Sequence, residues 1–415
     1  MTQVSDELST VVPYTMTRLG VVMTPETGNP LEAMGVLNPA SGRTPDGRLH
    51  LLPRLVEEGN VSRVGLVEVE LRDGVPVGVR RRSVVLAPDE GWERGAHNAG
   101  VEDPRTTWVP SLGHHLMTYV AYGPLGPRLA LAVSSDLERW QRLGPVQFTY
   151  QPGLGTDLCM FPNKDAVFFP EPVPGPDGRP SYAMLHRPMW DLGWIREGEI
   201  AHLPAGITDE RPGIWISYVP VELVEADIRA LARPQDHTCV ALPMYPYEAL
   251  KIGAGPPPVR IDEGWLLIHH GVTGEVPDPW DPTTQKVEYS AGAMVLDSAD
   301  PSRVLARTDR PILAPETADE REGTVPNVVF PTAIEEVDGV RYVFYGMADE
   351  DRRRTPRPDA ITARDQPRAS RLARRQRRPA RRPRGGSWRV HPRPAVSRLA
   401  SYRHRSFTER AHLDA

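Results

Sequence analysis

One pattern recurs along the chain and constrains its fold more than any other feature. Each copy has a polar or proline start, an apolar run, a Gly/Asp turn and a second run of β-branched and aromatic residues. Four copies are clear and an earlier segment is a fifth: EDPRTTWVPSLGHHLMTYVAY, KDAVFFPEPVPGPDGRPSYAMLHRP, GPPPVRIDEGWLLIHHGV, PNVVFPTAIEEVDGVRYVFYGMAD and, near the start, LNPASGRTPDGRLHLLPRLV. Such runs, separated by turns, are typical of antiparallel strand pairs.

The spacing of the copies predicts the architecture. They start at Asn38, Asp103, Asp165, Pro257 and Asn327, which are 65, 62, 92 and 70 residues apart. A second unit of short strands follows most copies, so each period holds about four strands, the size of one propeller blade. We predict an all-β fold, a five-bladed β-propeller. A β-sandwich is the alternative, but it would not need a polar start in every period.

A propeller also predicts where the polar residues lie. The innermost strand of each blade starts beside the central channel, so polar residues at the strand starts converge on one funnel. We therefore expect Asn38, Asp103, Asp165 and Asn327 to be neighbours.

The C-terminal part of the chain differs in charge from the rest. Residues 350–415 contain 20 Arg and six acidic residues, a net charge of +14, so the remaining chain carries −19 of the total −5. We expect residues 1–349 to form the propeller and residues 350–415 to be a disordered Arg/Pro-rich tail, because the tail lacks an apolar period. Nucleic-acid binding is not expected, and any such binding would be confined to this basic tail. We also hypothesise that the tail is read out of frame, which would leave the last blade one strand short with an open edge.

Other features predict a soluble cytoplasmic enzyme without a metal site. The two cysteines, Cys159 and Cys239, lack metal-ligand spacing and are expected to be buried thiols. The N-terminus has no signal-like apolar run, and no segment approaches the length of a membrane span. A homo-oligomer is left open.

Several ordered motifs resemble those of one enzyme family. The segments GVEDPR, NKDAVFFPE, YAMLHRP, KIGAGPPPVR, GWLLIHHGV, ARTDRPILAPE and VPNVVFPTAI are similar to those of glycoside hydrolase family 130, the inverting β-mannoside phosphorylases and related hydrolases. The resemblance covers about residues 20–349. It implies a five-bladed propeller that cleaves β-mannosides with inorganic phosphate as co-substrate, and no metal or organic cofactor.

The resemblance also implies roles for individual residues. Asp103 matches the general acid, which must be protonated near neutral pH, and we expect Glu102 or an apolar wall to raise its pKa. Because adjacent residues of a strand point to opposite faces, we do not expect Glu102 to act on Asp103 directly. Three positions match residues that hold the mannosyl hydroxyls: Asn38, Arg54 and Asp349. Trp108 and Trp190 are possible stacking platforms, but tryptophans of β-proteins are more often in the core.

Phosphorolysis requires a group of cations to hold phosphate. The predicted phosphate-binding residues are Lys164, Arg187, Lys251, His270 and Tyr289. The chain has 46 Arg and only three Lys, yet two of those lysines lie in the family motifs. Since His269 and His270 are adjacent, only one of them is expected to face the channel.

Two other functions stay open at this level. Where family phosphorylases tend to have Arg-Asn, this chain has Lys164 and Asp165. Asp165 is a second carboxylate and a candidate base for hydrolysis by an inverting mechanism. The alternative from another class is a non-catalytic or inactivated carbohydrate-binding propeller.

Overall fold

The computed structural model describes residues 16–192, 196, 198–277, 284–323, 325–348 and 387–397. Strands dominate this part of the chain, with two short α-helices, α1 (Val221–Ala226) and α2 (Ala318–Arg321). None of the helices found there is long and apolar enough to cross a membrane. The predicted all-β fold is confirmed.

The strands form four sheets. The first contains β1 (Gly35–Arg43), β2 (Leu49–Glu57), β3 (Val61–Arg72), β4 (Val75–Leu86), β5 (Ala99–Val109), β6 (His114–Gly123), β7 (Gly126–Ser134) and β8 (Gln141–Pro145). The second contains β9 (Asn163–Phe168), β10 (Val173–Pro174), β11 (Pro180–Pro188), β12 (Ile214–Pro220) and β13 (Gln235–Ala241). The third contains β14 (Lys251–Ala254), β15 (Val259–Ile261), β16 (Gly264–Glu275), β17 (Lys286–Leu296) and β18 (Val304–Arg307). The fourth contains β19 (Val329–Val337), β20 (Val340–Ala348) and β21 (Ser387–Ser397).

The first sheet is two strand groups joined by a short contact. Strands β3 and β5 pair in parallel over two positions only, whereas their neighbours on either side form long antiparallel ladders. The described strands therefore fall into five successive groups, β1–β4, β5–β8, β9–β13, β14–β18 and β19–β21.

Apolar side chains fill the spaces between successive groups. Shared clusters contain Leu52 with Met117, Leu116 with Phe168, Ile216 with Leu267, Ile268 with Val343, and Phe344 with Leu51. The last of these pairs joins the fifth group to the first. Burial of apolar surface between the groups thus connects the end of the strand-rich region to its beginning.

The first strands of the groups lie side by side. Thr332 of β19 donates to the carbonyl of Pro39 in β1 at 2.8 Å, and Thr107 of β5 donates to the carbonyl of Phe168 in β9 at 3.0 Å. Thr106 of β5 also donates to the carbonyl of Ser41 in β1. Side-chain hydrogen bonds between strands of different groups therefore hold β1, β5, β9 and β19 next to one another.

The C-terminal tail contains regular structure that the sequence did not predict. Strand β21 pairs in parallel with β20 on both sides of one register shift, so the predicted disorder is wrong over residues 387–397, and β20 has a neighbour where an open edge was expected. Backbone groups of an edge strand are unpaired until another strand adds to them, and this addition requires no particular sequence period. Residues 349–386 and 398–415 lie outside the described residues.

Candidate active site

The same backbone irregularity occurs in three of the neighbouring strands. In each of β1, β5 and β9, two residues lie opposite a single residue of the partner strand, which is a β-bulge. Asn38, Asp103 and Asp165 lie at these bulges with φ of 34°, 48° and 56°. Asn and Asp are the side chains that best tolerate a left-handed backbone. This requirement gives a physical reason for the recurring Asn or Asp in the sequence.

Asp103 lies within a hydrogen-bonded group of polar side chains. Its Oδ1 accepts from Asn38 Nδ2 at 2.8 Å and from Arg54 Nη1 at 3.1 Å. The other terminal nitrogen of Arg54 donates to Glu102 Oε1 at 2.6 Å, and its Nε donates to Ser62 Oγ at 2.8 Å. One buried guanidinium therefore holds two adjacent carboxylates.

The expectation that Glu102 would point away from Asp103 is wrong. Strict alternation holds for a regular strand, but the bulge between Glu102 and Arg105 interrupts the register and brings both carboxylates to Arg54. The sequence signal was the Pro104 that follows Asp103, since proline has no N–H to donate to a ladder.

The charge state of Asp103 also differs from the prediction. Burial disfavours its charged form, yet Arg54, Lys164 and the hydrogen bond from Asn38 together hold the pKa of Asp103 below its ordinary value. Burial instead raises the pKa of Glu102, although Arg54 and Lys164 oppose that shift. The expectation of a raised pKa at Asp103 is therefore wrong, because Arg54, Lys164 and the hydrogen bond from Asn38 outweigh the effect of burial.

Lys164 connects this group to the predicted phosphate-binding residues. Its Nζ lies 3.9 Å from Glu102 Oε2 and 5.6 Å from the centre of the Tyr122 ring. Its backbone is paired with Arg187 across β9 and β11. Lys164 thus lies between the carboxylates of β5 and the cations beyond them.

Asp165 is the centre of a second group. Its Oδ2 accepts from Arg187 Nε at 2.6 Å, its Oδ1 accepts from Arg105 Nη2 at 3.1 Å, and His270 Nε2 lies 3.4 Å away. Burial opposes its charge, but Arg187, His270 and Arg105 hold the pKa of Asp165 well below the ordinary value. Burial lowers the pKa of His270 to about 4, so this imidazole is neutral at neutral pH.

Aromatic rings extend the second group to Lys251 and Tyr289. The ring of His270 lies 4.5 Å from that of Phe330 and 6.2 Å from that of Tyr289, measured between centroids. Lys251 Nζ lies 5.6 Å from the Tyr289 ring centroid. The structure thus brings the five predicted phosphate-binding residues into one continuous set of contacts. The His269 side chain lies on the opposite face of β16, with its Nε2 2.9 Å from Glu248 Oε1, as the alternation of side chains along a strand predicted.

Arg105 and Phe330 are residues of this region that the sequence did not reveal. The guanidinium of Arg105 donates to the carbonyls of Gly255 and Ala254 at 2.9 and 3.1 Å, and it lies 5.6 Å from the centre of the Phe330 ring. The signal for Arg105 was its place directly after the Asp-Pro bulge. No signal in the sequence distinguished Phe330 from an ordinary core residue.

The remaining predicted positions lie as follows. The backbone carbonyl of Asn327 accepts from the N–H of Tyr289 at 2.9 Å, so Asn327 lies beside the second group, whereas Asn38 bonds directly to Asp103. Asp349 is outside the described residues. Trp190 is fully buried in a hydrophobic cluster, and Trp108 lies near the opposite end of β5. Over the described ranges, no group of three or more His, Cys, Asp or Glu is arranged to hold a metal ion.

Comparison with known proteins identifies the family. The model of glycoside hydrolase family 130, described as β-1,4-mannooligosaccharide phosphorylase, matches residues 28–351. The chain belongs to glycoside hydrolase family 130. The resemblance seen in the sequence motifs is thereby confirmed.

Curated relatives of this family-130 protein are named as phosphorylases. A 1,2-β-oligomannan phosphorylase of Thermoanaerobacter sp. (strain X514) is 30% identical over 79% of this chain and 91% of its own length. A β-1,2-mannobiose phosphorylase of the same organism is 32% identical over 63% of this chain and 66% of its own.

Solved structures share the fold. The β-1,2-mannobiose phosphorylase of Listeria innocua superposes with a TM-score of 0.58 at 22% identity, over 79% of this chain and 92% of that one. A glycosyl hydrolase from Bacteroides ovatus gives a TM-score of 0.58 at 19% identity, over 83% and 94% of the two chains.

Proposed function

We propose that this family-130 protein is an inverting phosphorylase that cleaves β-linked mannosides with inorganic phosphate and releases mannose 1-phosphate. One observation carries the proposal: the Asp103 group and the cationic group around Asp165 are adjacent, with Lys164 between them. A proton donor and a phosphate site must face each other across one sugar ring in this reaction. The names of the curated relatives support the same substrate class and co-substrate.

We propose further that the five strand groups are five blades closed into a ring. The support is the shared apolar clusters between successive groups, including the one that joins the fifth group to the first. In such a ring the bulges of β1, β5 and β9 lie at one end of the central channel, and the substrate enters there.

The sugar ring lies beside Asn38 in the proposed complex. Asn38 Nδ2 donates to Asp103, and Asn38 Oδ1 is buried beside Gly346, so Asn38 is assigned to the sugar on the family resemblance. Arg54 already donates to Ser62, Asp103 and Glu102. Arg54 therefore acts mainly by orienting Asp103. Asp349 is assigned to the sugar on the family resemblance.

Phosphate binds to the second group in this mechanism. Lys164 and Lys251 supply compact charges, and Arg187 supplies the terminal nitrogens that its bond to Asp165 leaves over. His270 is neutral, so it contributes an N–H donor and Tyr289 an O–H donor. The region contains four cations and two carboxylates, so its net charge is positive and suits a phosphate dianion. The cations are Lys164, Lys251, Arg105 and Arg187, and the carboxylates are Glu102 and Asp165.

The proton on Asp103 is explained by the arrival of phosphate. In the free protein Lys164 and Arg105 help to keep Asp103 ionised. A bound phosphate dianion compensates those cations, so the pKa of Asp103 rises in the complex. Asp103 then donates its proton to the leaving oxygen, directly or through a sugar hydroxyl, while a phosphate oxygen attacks C1 from the opposite side.

Asp165 is poorly suited to be the base of a hydrolase. A general base needs a pKa near the working pH, and the two arginines hold the pKa of Asp165 well below its ordinary value. Its side chain is 3% exposed and paired on both oxygens, so water has little access to it. These contacts favour phosphorolysis over hydrolysis.

The test is incubation of the full chain with β-1,2- and β-1,4-mannobiose, with and without phosphate. Mannose 1-phosphate that forms only with phosphate is the expected result. Free mannose at equal rates in both reactions would establish hydrolysis instead. Binding of mannobiose without any turnover would establish a carbohydrate-binding protein.

A further inference from the structure

A cavity of about 690 Å³ opens near the opposite ends of the strands that form the proposed active site. It is lined by the later parts of β1, β5 and β19 and by the segment Pro257–Arg260. Trp108 lies five residues after Asp103 in β5, and five residues of strand span roughly 16 Å. The cavity is therefore distinct from the group of side chains around Asp103.

Trp108 gives the cavity an aromatic wall. Its side chain is 44% exposed, although a tryptophan normally buries most of its large apolar surface. The inner side of the ring is held against His115, with 4.7 Å between the ring centroids. A fixed aromatic ring with a free surface can bind the C–H face of a ligand.

His115 packs behind Trp108 and fixes the position of that ring. Its side chain lines the cavity, is 3% exposed, and has its Nε2 at 3.0 Å from the carbonyl oxygen of Arg43. Since that carbonyl can only accept, Nε2 carries the proton and Nδ1 carries a lone pair. Nδ1 is buried beside Gly42 and has no hydrogen-bond partner among the described residues. Burial lowers the pKa of His115 to about 4, so the ring stays neutral and adds no positive charge to the cavity.

Glu335 and Arg43 supply the polar wall. Glu335 Oε1 accepts from Ser41 at 2.8 Å, and its Oε2 lies 3.6 Å from Arg43 Nε. A carboxylate has about four acceptor sites, so most of the capacity of Glu335 is unused by these contacts. The terminal nitrogens of Arg43 donate to the carbonyls of Gly47 and Glu336, which fixes the guanidinium.

This combination selects one class of ligand. Arg43 and Arg260 line the cavity together with Glu335, so charge alone does not select the ligand. A purely apolar molecule would leave the free acceptor sites of Glu335 without a donor, and so would an anion that has no hydroxyl group. A neutral sugar ring has an apolar C–H face for Trp108 and several hydroxyl donors for Glu335. The volume lies within the roughly 300–1,000 Å³ of small-molecule sites. We propose that this cavity is a second carbohydrate site, which binds a neutral pyranoside and takes no part in the chemistry at Asp103.

The site can be observed through Trp108 itself. The full chain is labelled with 5-fluorotryptophan, and the ¹⁹F resonance of Trp108 is assigned by its loss in Trp108→Phe. Methyl β-D-mannopyranoside is then added without phosphate, so that no turnover is needed. A saturable shift of the Trp108 resonance is expected. Glu335→Gln should weaken this binding at least about tenfold, since it removes a charged acceptor of hydroxyl donors.

Two control variants separate the cavity from its surroundings. Glu336→Gln changes the exposed neighbouring carboxylate, and Asp103→Asn changes the proposed active site; both should leave the Trp108 titration unchanged. A Trp108 resonance that does not move would overturn the proposal. So would a shift that disappears in Asp103→Asn, or one produced by cyclohexanol but not by the sugar. Because the readout is binding at Trp108, its failure leaves the phosphorolysis assay unaffected.

Discussion

Asp103 and Asp165 have the same local structure and opposite surroundings. Each lies at a bulge of a neighbouring strand, with φ of 48° and 56°. The Asp103 side chain is 13% exposed and bonds to Asn38 and a single arginine, whereas Asp165 is 3% exposed and pairs with two arginines. The comparison shows that the same type of bulge can hold a partly exposed carboxylate with one arginine in one strand and a buried carboxylate with two arginines in another.

The largest expected effect tests the proposed catalytic role of Asp103. Asp103→Asn should lower kcat for mannobiose phosphorolysis by roughly 10²–10⁴-fold, because the amide cannot donate the proton. Steady-state rates of mannose 1-phosphate formation measure this effect. An aryl mannoside whose leaving group needs little protonation should lose much less. Equal losses for both substrates would show that Asp103 has another role.

The contribution of Asp165 to the stability of the fold is tested by Asp165→Asn. Removing one partner from a buried ion pair costs roughly 3–5 kcal/mol, because Arg105 and Arg187 keep their charge without compensation. Urea unfolding should show this loss in the free energy of unfolding. Asp103→Asn is the matched control and should cost clearly less, since Arg54 keeps Glu102 as a partner. Comparable losses in the two variants would remove the distinction drawn here.

Substitution of Lys164 tests whether phosphate binds between the Asp103 group and the Asp165 group. Lys164→Met should raise KM for phosphate by roughly 10- to 100-fold, the value of a hydrogen bond to a charged group. Lys286 is an exposed lysine of β17 and provides the control, because Lys286→Met should leave the KM for phosphate nearly unchanged. Initial rates at varied phosphate concentration measure both. An unchanged KM in Lys164→Met would place the phosphate site elsewhere.

The smallest effect concerns the dependence of stability on pH. The folded pKa of Asp165 is depressed, so the unfolded chain binds a proton near the ordinary value of about 3.9 while the folded protein does not. Its contribution to the free energy of unfolding is therefore complete above about pH 5 and decreases as the pH falls. The difference in unfolding free energy between wild type and Asp165→Asn should narrow from pH 7 to pH 4. A constant difference would contradict the depressed pKa.

The sequence predicted much of the site because the features involved are local. The Asn or Asp at four of the five repeat starts, the rarity of lysine and the ordered motifs were visible without coordinates. They gave the all-β class, the family and the set that contains Lys164, Arg187 and His270. The roles of these residues in catalysis stay predictions.

Other features could not be seen because they depend on packing between distant segments. Nothing in the local sequence of Glu102 shows that a bulge brings it to Arg54, or that Arg105 reaches carbonyls about 150 residues away. The pKa of Asp103 was predicted in the wrong direction for the same reason, since it depends on cations from β2 and β9. Strand β21 was missed because pairing with an exposed edge needs backbone groups rather than a particular pattern.

The Asn and Asp residues at the strand starts could be recognised from the chain alone, because a left-handed backbone limits the choice to very few side chains. What those side chains do depends on the packing of distant segments. The charge and reactivity of a carboxylate depend on the groups within a few ångströms of it, and at Asp103 and Asp165 those groups come mainly from other strands.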